Sequence, residues 1–394
     1  MKILCLSHAQ YITVALPKII EQAEAIAGLG HEITLVCTSK TDRLKVRRFT
    51  RNGVHYITTP SWLWGKFRHG ADLWDVLVRI VVLLNCESFD VIHAVDSRPT
   101  VILPALLLKK LRRIPLILEW SDLFGKRGTI SERSGKFYAL TFGKVESFFE
   151  RAFRKYAENA IVVSNLLTKQ LHAIGYPENR IYVQRYGCNT RNALHYEKSV
   201  ARIKLKFPQD SVILIYVGLL FPSDLELLVK AARIAQEKYS GTLQWILIGN
   251  HHLSTDVCQE LNFELPGRVS HEQLQWYFSA SDLCLIPMRV SRANKARWPS
   301  KIADYLSAGR PTVATKVSDF EELFTRYHLG YLSESDSPQH FAEAVLSAIQ
   351  DRENWARLGQ TCKDFARSYL DVQKLAIDRI ALYERTIQEY RKVA

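Results

Sequence analysis

The feature that most constrains this chain is an alternation of short apolar runs with helix-periodic segments, played through twice along 394 residues. Lys2 to Ser7 is an apolar run. Ile19 to Leu29 has helical spacing (Ile19, Ile20, Ala23, Ile26, Ala27) and stops at Gly28 to Gly30, and Glu32 to Cys37 is apolar again. The alternation predicts strands over Asp90–Ala94, Pro115–Glu119 and Ala160–Val163, with helices over Val101–Leu111 and Glu146–Ala157. After a polar, non-periodic stretch, Gly187 to Pro208, it restarts. Strands are expected over Val212–Val217, Leu243–Ile248, Leu283–Pro287 and Pro311–Thr315, and helices over Asp224–Ala235, Gln273–Ala280, Ser300–Ala308 and Pro338–Ile349. Such repetition specifies parallel sheets wrapped by helices, since parallel neighbours need a crossover connection. Two doubly wound α/β domains are therefore expected, residues 1–195 and 196–365, with a helical tail, 366–394, packing back on the first. In such folds ligands sit at the carboxyl ends of the strands, here in a cleft that the two domains face.

Length and composition agree with two soluble domains. The chain is 47% hydrophobic and 24% charged, far from disordered composition. The apolar runs are too short for the roughly 20 residues of a membrane span, and the N-terminus lacks a signal-peptide pattern, so a cytoplasmic protein is expected. Seven scattered cysteines with no C-x-x-C pair read as reduced thiols. The net charge of +13 is unevenly divided: residues 1–195 carry +12 and the remainder +1. That asymmetry, with Trp and Phe beside Lys and Arg in Trp62–Arg68 and the apolar Trp74–Leu84, fits an anionic membrane surface met by the first domain, or a helix packed on its core. No nucleic-acid-binding module is recognisable.

The densest chemistry lies in Arg297–Glu322, RWPSKIADYLSAGRPTVATKVSDFEE. Pro299 before Ser300 suits a helix start, whose free N–H groups attract anions. Lys301 falls in the first turn, where the macrodipole disfavours a cation unless an anion is bound. Asp304 is one turn on along the same face. Together they suit a phosphate and a ribose hydroxyl, though the pattern alone favours an exposed intrahelical ion pair.

The segment P-S-K-x-x-x-Y-x-x-A-G-x-P-x-V-A at Pro299–Ala314, followed by Glu321 and Glu322, resembles the donor-site signature of the family-four retaining glycosyltransferases of GT-B architecture. Gly30-His31-Glu32, Asp90–Pro99 (DVIHAVDSRP), Ala160–Ser164 and Ser281–Leu283 before Pro287 extend the likeness in order and spacing. The resemblance implies a GT-B enzyme that moves a hexosyl-type sugar from a nucleotide sugar to a lipid-linked, polysaccharide or other acceptor. It further implies retention of configuration with no metal or other cofactor, and the sequence has no D-x-D motif. It places Asp304, Arg297, Gly218, Glu321 and Glu322 at the donor, with Lys301 and His93 catalytic. Two departures stand out. Ala296 occupies the place of an acidic residue, and Leu219 and Asp224 occupy those of an Arg and a Lys that reach the diphosphate in many relatives. A binding-only member or synthase subunit, and a nucleotide-sugar epimerase, stay open beside a transferase.

In the first domain His93 is expected at a strand end, as a donor-sugar contact or a packing residue. Asp96 and Arg98 in the same loop suit acceptor hydroxyls or each other. Glu119, Asp122 and the basic loop Gly125–Gly128 end the next strand as acceptor-side groups or solvated charge.

Overall fold

A computed structural model describes residues 1–11, 16–62, 70–125, 128–129, 142–191 and 196–393. The chain divides into two compact units: Met1–Tyr186 with Ala296–Trp298 and Val372–Ala394, and Gly187–Lys295 with Pro299–Asp371. The boundary thus falls at 186/187 instead of 195/196, and the tail rejoins the first unit at Val372 instead of 366. The polar stretch read as a linker contains a helix, Lys198–Leu205, capped by Glu197, which accepts from Ser199 and Val200 N–H.

The first unit is built on eight strands: β1 (Lys2–Gln10), β2 (Glu32–Thr38), β3 (Arg47–Arg51), β4 (Val54–Thr59), β5 (Val91–Val95), β6 (Leu116–Trp120), β7 (Asn159–Val162) and β8 (Ile181–Val183). Their order is β3-β4-β2-β1-β5-β6-β7-β8, parallel except for the β3–β4 pair at the edge. Order reverses between β1 and β5, which makes the carboxyl ends of those two strands the place where crossovers diverge and leave a crevice. Ile3, Leu4, Cys5 and Leu6 of β1 are buried, because helices cover both faces of the sheet. One cover is the final helix, Val372–Val393, whose Ala376, Ile380, Tyr383 and Ile387 pack in one cluster with Ile3, Ile33 and Ile117.

The second unit carries β9 (Val212–Val217), β10 (Leu243–Ile248), β11 (Phe263–Gly267), β12 (Leu283–Ile286), β13 (Thr312–Thr315) and β14 (Gly330–Ser333), in the order β11-β10-β9-β12-β13-β14. Here the reversal lies between β9 and β12. The Pro222–Lys238 helix follows β9 with proline at its start, and a capping box of Ser270 and Gln273 opens the His271–Ala280 helix. The tail is not helical throughout: a helix over Trp355–Phe365 runs into a wider π turn, Ala366–Leu370, and stops at extended Asp371.

Candidate functional site

In the second unit the carboxyl end of β9 is shaped by two glycines. Gly218 (φ +112°) and Gly249 (φ +136°) follow β9 and β10, in the left-handed region that a side chain resists. A Cβ on Gly249 would meet the Gly218 carbonyl oxygen at 2.4 Å, and one on Gly218 would lie 3.2 Å from Lys301 Nζ. Lys301 opens the seven-residue Lys301–Ser307 helix, which is pinned to the strand because the buried Tyr305 hydroxyl accepts from Val217 N–H at 2.8 Å. The Lys301 ammonium lies 3.7 Å from the centre of the Tyr216 ring and donates to its hydroxyl, which in turn donates to Leu219 O at 2.8 Å. A cation is thereby held over an aromatic face at the open end of a strand. Asp304, one turn on, is half-buried. His251, buried beside Tyr216, is held below its ordinary pKa by burial, and Lys301's charge adds to the effect.

Other donor-side expectations land elsewhere. Arg297 groups with the first unit, where its Nη2 lies 3.4 Å from Asp122 Oδ1 and 3.5 Å from Thr129 Oγ1. The structure therefore pairs two residues assigned to different substrates. Glu321 and Glu322 are exposed in the first turn of the Phe320–Tyr327 helix, with Lys316 4.0 Å from Glu321. Leu219 is exposed, whereas Asp224 is buried and accepts from Arg289 N–H at 2.9 Å. Ala296 is buried, and its carbonyl accepts from Ser164 Oγ at 2.6 Å.

In the first unit His93 does not end its strand. It is the third of five residues in β5 and fully buried. Its Nδ1 lies 2.6 Å from the Tyr383 hydroxyl and its Nε2 3.2 Å from Glu119 Oε2. Glu119 is equally buried in β6: Arg379 Nη1 lies 3.0 Å from Oε2, and the Tyr186 hydroxyl donates to Oε1 at 2.8 Å. Burial alone would raise the Glu119 pKa, but Arg379, His93 and Tyr186 outweigh it and hold the carboxyl at about 2. Burial, with Arg379's charge, keeps His93 below its usual value and so neutral at pH 7. Tyr383 then donates to Nδ1 and leaves Nε2–H for the carboxylate. His93 and Glu119 thus lie inside the sheet among buried partners, and not at the strand end expected of His93.

Asp96 and Arg98 do lie at the β1/β5 switch point. Asp96 adopts φ +62°, rare for a residue with a side chain and frequent at functional sites. It accepts from Ser121 N–H (3.0 Å) and Oγ–H (2.8 Å), with His8 Nδ1 3.8 Å away, and burial lifts its pKa to about 7 despite those bonds and the charges of Arg154 and Arg98. Arg98 lies 4.3 Å over the Phe124 ring and helps line a small, largely apolar cavity of about 50 Å³. The cavity's inner polar group is Arg154, which sequence reading missed. It is buried, lies 3.7 Å over the Trp120 ring, donates from Nε to Glu150 O at 2.6 Å, and has no hydrogen-bond partner for Nη1.

Two family models match the chain in tandem, a glycosyl transferase 4-like domain over residues 19–187 and a glycosyl transferases group 1 domain over 211–351. The chain is a family-four-type glycosyltransferase of GT-B fold. A curated relative of this transferase is TuaH of Bacillus subtilis (strain 168), whose name assigns it as a glycosyltransferase to teichuronic acid biosynthesis. It is 25% identical over 147 residues, 36% of each chain, so the match spans about a third of the relative's length. Among solved structures, sucrose-phosphate synthase of Thermosynechococcus elongatus superposes with a TM-score of 0.76 at 17% identity, covering 99% of this chain and all of its own. Anabaena HepE in complex with UDP and glucose superposes at 0.67 with 18% identity, covering 97% and 98%. At these identities the structural likeness establishes the fold.

Proposed function

We propose that this transferase moves a hexosyl-type sugar, with retention of configuration, from a nucleoside-diphosphate sugar held by the second unit to an acceptor held by the first. The observation that carries the reading is Lys301, an ammonium held over the Tyr216 ring at the carboxyl end of β9 and packed close on Gly218. A departing diphosphate gains charge in the transition state, so a cation already fixed there favours the transition state over the bound donor. Lys301 stands in for the Arg and Lys replaced by Leu219 and Asp224, and Asp304 accepts from the ribose hydroxyls. No metal is needed in this scheme: the ammonium supplies the charge, and the leaving diphosphate can take the acceptor's proton. The complex of HepE with UDP and glucose supports a uridine nucleotide as the first donor to try.

The acceptor enters the cavity lined by Arg98, Arg154 and Phe124, presenting a hydrogen-bond-accepting oxygen to Arg154 Nη1 and an apolar face to Phe124 and Phe149. Support for a glycan or lipid-linked acceptor comes from the biosynthetic role in TuaH's name and from the Leu73–Leu84 helix. That helix turns its charges inward: Asp75 and Arg79 are buried together, with Arg79 donating to Ser7 O, Thr38 Oγ1 and Thr100 O. Leu73, Leu77, Val81 and Leu84 face solvent, beside Trp62 stacked on Trp74 at 5.2 Å, and exposed Leu44 and Lys45. An outward apolar stripe flanked by cations suits peripheral contact with an anionic membrane on the cytoplasmic side. No helix among the described residues is long and apolar enough to cross one. Most of Trp62–Arg68, and 126–127 of the basic loop, lie outside the described residues.

The test is turnover of a panel of sugar nucleotides with lipid-linked and glycan acceptors. Glycoside product of unchanged anomeric configuration, formed in the presence of a chelator, is expected. Sugar interconversion without product would make the chain an epimerase, and nucleotide binding without any turnover would make it a binding subunit.

A further inference from the structure

The second unit carries another charged cavity, at the opposite edge of the sheet from Lys301. It is an open groove of about 470 Å³ at the amino ends of β12 and β13, and Lys198, Asp282, Arg310, Arg352, Lys363 and Trp355 contribute to its lining. Four of these are cations and one is an anion, and the anion is already committed. Asp282 pairs with Lys198 through Oδ1 and with the buried Arg202 through Oδ2 at 2.7 Å, and Oδ2 also accepts from Ile213 N–H at 2.8 Å.

The remaining cations are held in place by neutral groups. Arg310 follows Gly309 (φ +67°) in the tight turn into β13 and donates from Nη2 to Ser279 O at 2.9 Å. Its Nε is sealed from solvent and has no acceptor. Arg352 donates to the Tyr239 hydroxyl at 3.0 Å. Lys363 packs along Gly309, where a Cβ would come within 2.4 Å of its Cε. Its ammonium is disfavoured first by burial and then by Arg310 and Arg367, with Asp364 offsetting this in part. Like charges gathered in a half-buried groove repel, and a sealed N–H without an acceptor adds to the cost. A bound anion relieves the repulsion, and guanidinium groups match phosphate oxygens in pairs.

We propose that this groove binds a small phosphate-bearing molecule, with Arg310 and Lys363 on the phosphate and the Trp355 indole walling one side. The site does not depend on the donor reading, because its residues lie at the amino ends of the strands. It is mechanically tied to Lys301, since the Lys301–Ser307 helix starts at one edge of the sheet and leads through Gly309 into Arg310 at the other. Occupancy of the groove therefore stiffens the helix that carries the donor-side cation.

The experiment is calorimetric titration of the full chain with inorganic phosphate and with a hexose monophosphate, against chloride at equal ionic strength. The expected result is saturable 1:1 binding, kept in Lys301→Ala and weakened at least about tenfold by Arg310→Gln with Lys363→Gln, each removing a charge-assisted bond. Lys363→Gln alone, on a half-exposed helix position, should weaken it several-fold and covers the case in which the double variant does not fold. Tighter binding of the hexose monophosphate than of inorganic phosphate would identify the ligand as an organic phosphomonoester, and equal binding would identify the free anion; either supports the site. Absence of phosphate binding at 10 mM concentrations or so, affinity unchanged in Lys363→Gln, or loss of binding in Lys301→Ala overturns it.

Discussion

Two charged clusters built from similar residues do opposite work in this transferase. In the first unit, Glu119, Arg379, His93, Tyr383 and Tyr186 are buried against one another, and the cluster ties β5 and β6 to the final helix. In the second, Lys301 and Tyr216 sit where a strand ends, with the ammonium packed close on a positive-φ glycine, Gly218. The histidine most prominent by motif belongs to the closed cluster. The difference teaches that residue type and motif do not tell a charge buried inside a sheet from one held at a strand end; the packing around each charge does.

Glu119→Ala should sharpen the contrast most strongly. It leaves Arg379 buried and uncompensated, at a cost of about 3 to 5 kcal/mol in urea unfolding. Retention of full stability would break the claim that the cluster is structural. Lys301→Ala should do the reverse: stability within about 0.5 kcal/mol of wild type, and turnover lower by a factor of about 100 to 1000, as when one oxyanion donor is lost. Lys301→Arg should recover part of the rate. Full turnover in Lys301→Ala would leave the ammonium as a surface partner of Tyr216 and Asp304. Asp304→Ala should weaken nucleoside diphosphate binding by roughly 1.5 to 3 kcal/mol in the same calorimeter, with the fold intact.

A gentler probe uses pH, because adjacent strands carry buried carboxyls with opposite shifts. Glu119, held at about 2, contributes stability that is complete above its unfolded value near 4.5 and is lost as pH falls from there toward 2. Asp96, lifted to about 7, works the other way. Folded chains keep its proton between about 4 and 7 while unfolded chains release it, so stability declines as pH rises through that window. Asp96→Asn keeps an oxygen for Ser121 N–H and tolerates the positive φ, so it should flatten the decline. A slope unchanged by Asp96→Asn would place the titration elsewhere. The smallest effect is expected at the apolar stripe: Leu77→Gln with Val81→Gln should lower binding to anionic vesicles several-fold while leaving its salt dependence unchanged, since the cations stay.

Much of the fold was legible because buried parallel strands are continuous apolar runs: Val212–Val217 and Leu243–Ile248 were bounded to the residue. The edge strand β3 was not, since RRFTR is mostly charged on a solvated edge and has no apolar run to detect. Lys301 and Asp304 were legible as a spacing on one helix face, and Asp96 and Arg98 as the loop after a strand. The partners that decide each role were not. Arg379 and Tyr383 lie more than 250 residues from Glu119 and His93 and look like ordinary positions on an amphipathic helix. Arg154 next to Lys155 reads as solvated charge, and only packing on Trp120 marks it as an interior group.

The return of the Val372–Val393 helix to the first sheet bears on how the chain comes into being. On the ribosome the first 186 residues emerge with Glu119 and His93 facing a place that stays empty until the last helix arrives. At about 5 to 20 residues per second, the roughly 200 intervening residues take on the order of 10 to 40 s. For that interval the nascent first unit exposes Ile3, Ile33 and Ile117 and carries a carboxylate whose arginine has not been made. Its folding waits on that helix, and a chain truncated before Val372 would hold the second unit whole and the first unfinished.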